Sequence, residues 1–167
     1  MPLRASPAGR LARLVKSADF ERVLRIRRHA ATAHFAVHHL AVSPGTGQRL
    51  VSGPSAGKLS TIDGTAGALP VDDSSAASLP PQRAWIGAVV PKRHARRAVT
   101  RSLLKRQIYA AAERHRERLV PGLWIVRLRS PFDRAHFVSA ASPTLRADAR
   151  AELEALLDAA VVAAGSR

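Results

Sequence analysis

The densest chemistry in this sequence is cationic. Residues 91–107, PKRHARRAVTRSLLKRQ, hold seven Lys or Arg and no acid. On a helix, Arg97, Arg101 and Lys105 fall at i, i+4 and i+8 and form one stripe of cations ~6 Å apart along the axis. Val99, Leu103, Leu104, Ile108 and Ala111 gather on the neighbouring arc, which can bury against a sheet while the stripe faces outward. No acid stands at i±3 or i±4 to neutralise the stripe, and like charges at that spacing destabilise a helix. An external polyanion relieves that repulsion. Guanidinium groups grip phosphate through paired N–H donors. With Lys92, Arg93, Arg96 and Arg106 added, the stretch reads as a phosphate-binding surface.

Chemistry of other kinds is poorly represented. Glu113 and Glu117 lie one turn apart among Arg114, Arg116 and Arg118, an arrangement that suits surface ion pairs better than a metal site. His34, His38 and His39 are close in sequence, but strand alternation turns His38 and His39 to opposite faces. A protein nuclease that cuts by itself usually gathers carboxylates around Mg²⁺, and no such cluster is visible. The chain has no Cys, which rules out disulfides and thiolate zinc sites.

The 167 residues carry 27 Lys or Arg against 12 Asp or Glu, a net charge of +15, and the pI is about 11.8. Such an excess points to nucleic acid as partner, with an anionic membrane second. The charge comes in two blocks: residues 1–40 carry eight basic and two acidic side chains, and residues 83–119 carry eleven and two. Between them, residues 43–82 are rich in Gly, Pro and Ser, lack aromatics and show no periodicity. That composition predicts a disordered insertion between two strands, tolerable because loop-closure entropy grows only logarithmically with length. No apolar run reaches the ~20 residues of a membrane helix. The Arg-rich N-terminus has only a faint likeness to a transit peptide, and a cytoplasmic location is expected.

The elements that must position the cations follow from patterning. Residues 17–28 predict a helix, with Ser17 as its cap and Phe20, Val23 and Leu24 on one face. Residues 33–42 predict a strand with Phe35, Val37, His39 and Ala41 on one face. A second strand runs over 84–90, the basic helix over 95–119, a third strand over 122–129, and an Ala-rich helix capped by Thr144 over 144–164. This order predicts an α+β fold, helices packed on a small mixed sheet.

The stretch WIGAVVPKRHARRAVTRSLLKRQIYAA resembles the signature of the bacterial ribonuclease P protein component family. Lys92 and Arg93 match its basic pair, Arg96 and Arg97 the lead-in, and Ala98 and Val99 its Ala-Val. Arg101 matches the first Arg of an Arg-Asn-Arg triplet, and Lys105 and Arg106 match the following Lys-Arg. The segments RLVKSADFERVL, HFAVHHL and LWIVRLRSP resemble further parts of the family in the same order. The triplet departs from the pattern, reading Arg101-Ser102-Leu103, and Leu24 and His38 stand where aromatics are common.

The resemblance implies a two-layer, ribosomal-protein-like sandwich with a left-handed βαβ crossover through the basic helix, although such crossovers are generally right-handed. It implies a single RNA-binding domain, core about 13–42 and 83–160, interrupted by the 43–82 insertion. The implied function is the protein subunit of ribonuclease P, which removes the 5′ leader of precursor tRNA by endonucleolytic hydrolysis. Catalysis falls to the RNA subunit, and Mg²⁺ is bound mainly by RNA. The expected partners are the catalytic RNA and precursor tRNA, with no membrane and no protein partner. Lys92, Arg93, Arg96, Arg97, Arg101, Lys105 and Arg106 are expected to hold the catalytic RNA. Arg13, Lys16, Phe20, Phe35 and Arg129 are expected around a cleft for the single-stranded leader, between the first helix and the sheet. The alternative is a ribosomal or other structural RNA-binding protein without a processing role. A membrane-surface helix lacks Trp or Phe anchors, and a helix-turn-helix lacks a second helix at the right distance.

Overall fold

The computed structural model describes residues 11–45, 80–133, 135–137, 139 and 141–165. Most of the 43–82 insertion lies outside the described residues. The elements run β1 (Ala12–Arg13), α1 (Ser17–Arg25), β2 (Ala30–Ala31), β3 (Phe35–Leu40), β4 (Ala84–Val89), α2 (Ala98–Arg114), β5 (Gly122–Leu128) and α3 (Pro143–Gly165). They build the expected α+β fold on one five-stranded mixed sheet of order β1-β4-β5-β3-β2.

β5 is the central strand. It pairs parallel with β4, with Gly87 opposite Ile125, and antiparallel with β3, with His38 opposite Ile125. Parallel neighbours need a crossover, and α2 supplies it. The near-continuous apolar run of β5 fits burial on both faces. Trp124, Val126 and Leu128 point to one face and Leu123 and Ile125 to the other. The first face carries the main core: Phe35, Val37 and Ile86 meet Leu103, Leu104 and Ile108 of α2 and Leu153, Leu156 and Leu157 of α3. α1 covers part of the second face through Phe20, Val23 and Leu24.

Two glycines are dictated by close approach. Gly122 has φ of +135°, and a Cβ there would stand 2.6 Å from His39 Nε2 and from the Leu40 carbonyl oxygen. Only glycine takes that backbone without strain. Gly87 lets the Phe20 ring lie directly on β4, since a Cβ would come within 2.6 Å of Phe20 Cε1.

The caps differ from expectation. Lys16, not Ser17, occupies the cap of α1 and makes no side-chain cap bond. Asp19 in the first turn is buried, its Oδ1 accepting from the Gly45 amide at 3.0 Å and from Arg22 at 3.2 Å. It therefore ties α1 to the chain leaving β3 as well as facing the helix dipole. Ser142, not Thr144, caps α3: its Oγ accepts from the Leu145 amide at 3.1 Å, with Pro143 in the first helical position, where its missing N–H costs nothing. At the far end of α2, Arg114 pairs with Glu154 and Arg118 with Asp158, clamping α2 to α3. Glu113 and Glu117 pair with Arg116 on the surface, as expected.

A candidate RNA interface

The turn between β4 and α2 presents the basic block. Pro91 ends β4, and its carbonyl accepts from the amides of His94 and Ala95, both at 3.1 Å. Lys92, Arg93, Arg96 and Arg97 are all exposed around this turn, and Lys105 and Arg106 are exposed on α2. Six of the seven expected cations are therefore accessible to a partner.

Arg101 is the exception. It is half-buried, and its Nη1 donates to the carbonyls of Ala95 at 3.0 Å and Arg96 at 2.6 Å. The middle of the stripe is folded back to brace the turn that displays its neighbours. Val99 also departs from the wheel: it is 55% exposed, because the buried arc of α2 begins only at Leu103.

The second surface is a cleft of about 760 Å³ on the α1 side of the sheet, beyond the end of that helix. Ala36 and His38 of β3 form its floor, and Arg27, Arg28, Arg127 and Arg129 line it. Arg127 and Arg129 are two apart, so the pleat sends both the same way. Arg129 also donates to the Thr32 carbonyl at 3.3 Å. His38 donates from Nδ1 to the Ile26 carbonyl at 3.0 Å, fastening the C-terminus of α1 beside the cleft. Burial, aided by Arg127 and Arg28, holds the His38 pKa below its usual value, so the ring is neutral: its one N–H is engaged by Ile26, and Nε2 is left as an acceptor rather than a fifth cation.

Arg127 also acts on His94. Desolvation, then Arg93 and Arg127, lower the His94 pKa. Arg127 lines the cleft and pairs with Val89, two residues before Pro91, so the cleft and the basic turn adjoin.

Of the expected cleft residues, Arg129 alone lines it. Phe35 is 0% exposed and sits on the opposite face of the sheet, edge-on to Phe132 at 5.9 Å. Its parity in β3 places it with Val37 in the main core. Phe20 lies on the correct face but over Gly87, packed against the smaller core. Lys16 is at the other end of α1, where its Nζ bonds the Gly45 carbonyl. Arg13, opposite Ile86 on edge strand β1, turns toward α2 and stacks its guanidinium 4.4 Å from the centroid of Tyr109. Arg27, Arg28 and His38 were not foreseen as cleft residues. The signal available was the run of charge after Leu24 and the two-residue spacing of Arg127 and Arg129.

Histidines 34 and 39 serve the fold. His34 bonds Glu152 through Nδ1 at 2.8 Å and stacks on Phe132. His39 donates from Nε2 to the Pro121 carbonyl at 3.2 Å and stacks on Trp124. Among the described residues no group of three His, Cys, Asp or Glu is placed to hold a metal ion, and no helix is long and apolar enough to cross a membrane.

These surfaces define a small α+β RNA-binding protein, built around cations and an open sheet face. The comparisons with known proteins narrow this. The Ribonuclease P family model matches residues 9–152. The chain is 32% identical over 151 residues to the ribonuclease P protein component of Paraburkholderia xenovorans, covering 89% of this chain and 80% of that one. It is 30% identical over 149 residues to the component from Burkholderia mallei, covering 89% and 82%. It is similar in structure to the Staphylococcus aureus RNase P protein, with a TM-score of 0.49 at 17% identity over 89% of this chain and 94% of the other. The chain belongs to the ribonuclease P protein family.

Proposed function

We propose that this chain joins two RNAs through adjoining surfaces, the basic turn with α2 holding the catalytic RNA and the arginine-lined cleft holding the leader of precursor tRNA. The protein is a tRNA 5′-processing subunit of ribonuclease P, an endoribonuclease in which the RNA carries the catalysis. The observation that carries the division of labour is the place of Arg127, which lines the cleft and stands opposite Val89, two residues before the Pro91 that opens the basic turn. A strand of RNA leaving the first surface has a cationic route into the second.

The turn surface offers Lys92, Arg93, Arg96, Arg97, Lys105 and Arg106. Neutralising about six phosphates gives a log–log salt slope of about −4 to −5. In the cleft, Arg27, Arg28, Arg127 and Arg129 replace the aromatic pair as the expected leader contacts. Recognition there is chiefly of the backbone, because four arginines dominate the lining and its rings, His29 and His38, are imidazoles rather than large aromatics. The reading is of one RNA-binding domain, 13–42 with 83–160, with 43–82 as an insertion. The Mg²⁺ required for phosphodiester hydrolysis is held mainly by RNA, and the holoenzyme works in the cytoplasm.

The test reconstitutes the full chain with ribonuclease P RNA and compares precursor tRNA with leaderless tRNA. Replacing Arg127 and Arg129 by Ala should weaken binding of the precursor while leaderless tRNA binds as before and the holoenzyme still assembles. Replacing Arg97 and Lys105 by Ala should instead weaken assembly and flatten its salt dependence. Equal losses for both tRNAs in the first variant would remove the cleft from leader recognition. Failure of the wild-type chain to assemble with the RNA would favour a structural RNA-binding role elsewhere.

A further inference from the structure

We propose that a cavity at the start of α2 receives one unstacked nucleobase of the ribonuclease P RNA, an inference that rests on the RNA-binding reading above. The cavity measures about 260 Å³ and lies between the basic turn, the segment after β5 and the start of α3. Its apolar lining comes from Leu104, Phe132, Phe137 and Leu145. His94, Arg96 and Arg97 bring polar and cationic groups to the same cavity.

The size and the lining select the ligand. Drug-sized ligands occupy ~300 Å³ and more, so this space suits a single ring system with part of its sugar. Phe132 and Phe137 meet edge to face at 5.6 Å, and His34 stacks on Phe132 at 4.0 Å, so the aromatic lining is held by neighbours. An unpaired base splayed from RNA finds such aromatic surfaces favourable because every base presents a π-face. A base arrives attached to phosphate, and the residues beside the apolar lining are arginines. The apolar floor and the cationic surround fit the two halves of one nucleotide.

His94 supplies direction. Its Nε2 accepts from Arg93 Nε at 3.1 Å, which assigns the ring proton to Nδ1. A neutral ring with one remaining donor can bond a base edge without competing for phosphate, and the lowered His94 pKa agrees with that state. The cavity carries no carboxylate among its described lining residues, so it offers nothing to a metal ion or an ammonium group.

Ser139 is exposed and lines the cavity, so it can be changed without touching the core. Ser139→Trp fills the space, and Phe137→Leu removes one aromatic wall while keeping it apolar. Each full-length variant, its fold checked by its urea midpoint, is bound to ribonuclease P RNA across a salt series. Base-specific chemical probing of the complex runs in parallel. Ser139→Trp should raise Kd about 5- to 150-fold, the range of one lost base stack, with the salt slope unchanged. One base protected in the wild-type complex should become reactive in the variant. Phe137→Leu should shift both readouts in the same direction, by less. An unchanged Kd for Ser139→Trp, or no base whose protection is lost, overturns the pocket while leaving the RNA-binding reading intact. Wild-type chain that does not bind the RNA overturns both.

Discussion

Replacing Arg101 separates two roles that a cation in this position could have. Arg101 stands four residues from both Arg97 and Lys105. If it were only a phosphate ligand, its removal from the free protein would relieve like-charge repulsion and raise stability by a few tenths of a kcal/mol. The structure gives the opposite sign. Its Nη1 donates to two carbonyls, Ala95 at 3.0 Å and Arg96 at 2.6 Å, and those carbonyls belong to the turn before α2. Hydrogen bonds from a charged donor contribute ~1.5–3 kcal/mol when buried. Arg101 is half-buried, so solvent screening brings the expected loss for Arg101→Ala to about 1–2 kcal/mol. In a chain of this size that corresponds to a fall in Tm of about 3–6 °C. Lys105→Ala, an exposed cation on the same stripe, should leave Tm unchanged or slightly higher. Arg101→Lys keeps the charge but loses the planar fork, and should recover only part of the stability. Thermal unfolding of the free proteins measures the sign, and RNA binding across a salt series measures the phosphate contacts. Lys105→Ala should reduce the log–log slope by about 0.7–0.9, one phosphate's worth. Free Arg101→Ala as stable as wild type, or more so, would refute the brace.

Other outcomes follow from the same geometry. Gly122→Ala should destabilise the fold by about 2–4 kcal/mol, because it forces a side chain onto a positive φ against His39 and Leu40, and a urea titration reads this as a lower midpoint. Stability should fall on acidification in two stages. Burial lowers the folded pKa of His38 and His39 below 6.5, so the unfolded chain takes up protons first, and their contribution, complete above pH 6.5, is lost as pH drops below it. Although burial opposes it, hydrogen bonds from Thr32 and His34 hold Glu152 below 4.5, so its contribution is present above that pH and is lost below it. A urea midpoint that stays flat through the first window would contradict the neutral, buried assignment of the two histidines.

How much was legible depends on the range of the signal. The central strands and the three helices declared themselves through local pattern: an apolar run bounded by Pro121 and Gly122 for β5, and helical spacing of Leu103, Leu104 and Ile108 for α2. β1 and β2 did not, since two-residue edge strands carry no period and exist only because β4 and β3 offer them hydrogen bonds. The basic turn was legible because its cations are contiguous in the chain. The cleft was not, because its arginines come from the end of α1 and from β5, about a hundred residues apart in sequence.

The sequence by itself determined the chemistry: an acid-poor basic block, no thiol, and a residue order that matches one family. It determined which segments bury apolar surface, because 3.6- and 2-residue periods follow from backbone geometry alone. Tertiary structure decided which of those groups face the same space. Phe20 and Phe35 look equivalent in one dimension, yet sheet pleating and the placement of α1 separate them by the thickness of the sheet. Arg97, Arg101 and Lys105 form one stripe on a wheel, yet only the folded turn shows that the middle one reaches backward to its carbonyls. Side-chain types and local periods belong to the chain, whereas the direction a charge takes is set by the neighbours that packing brings to it.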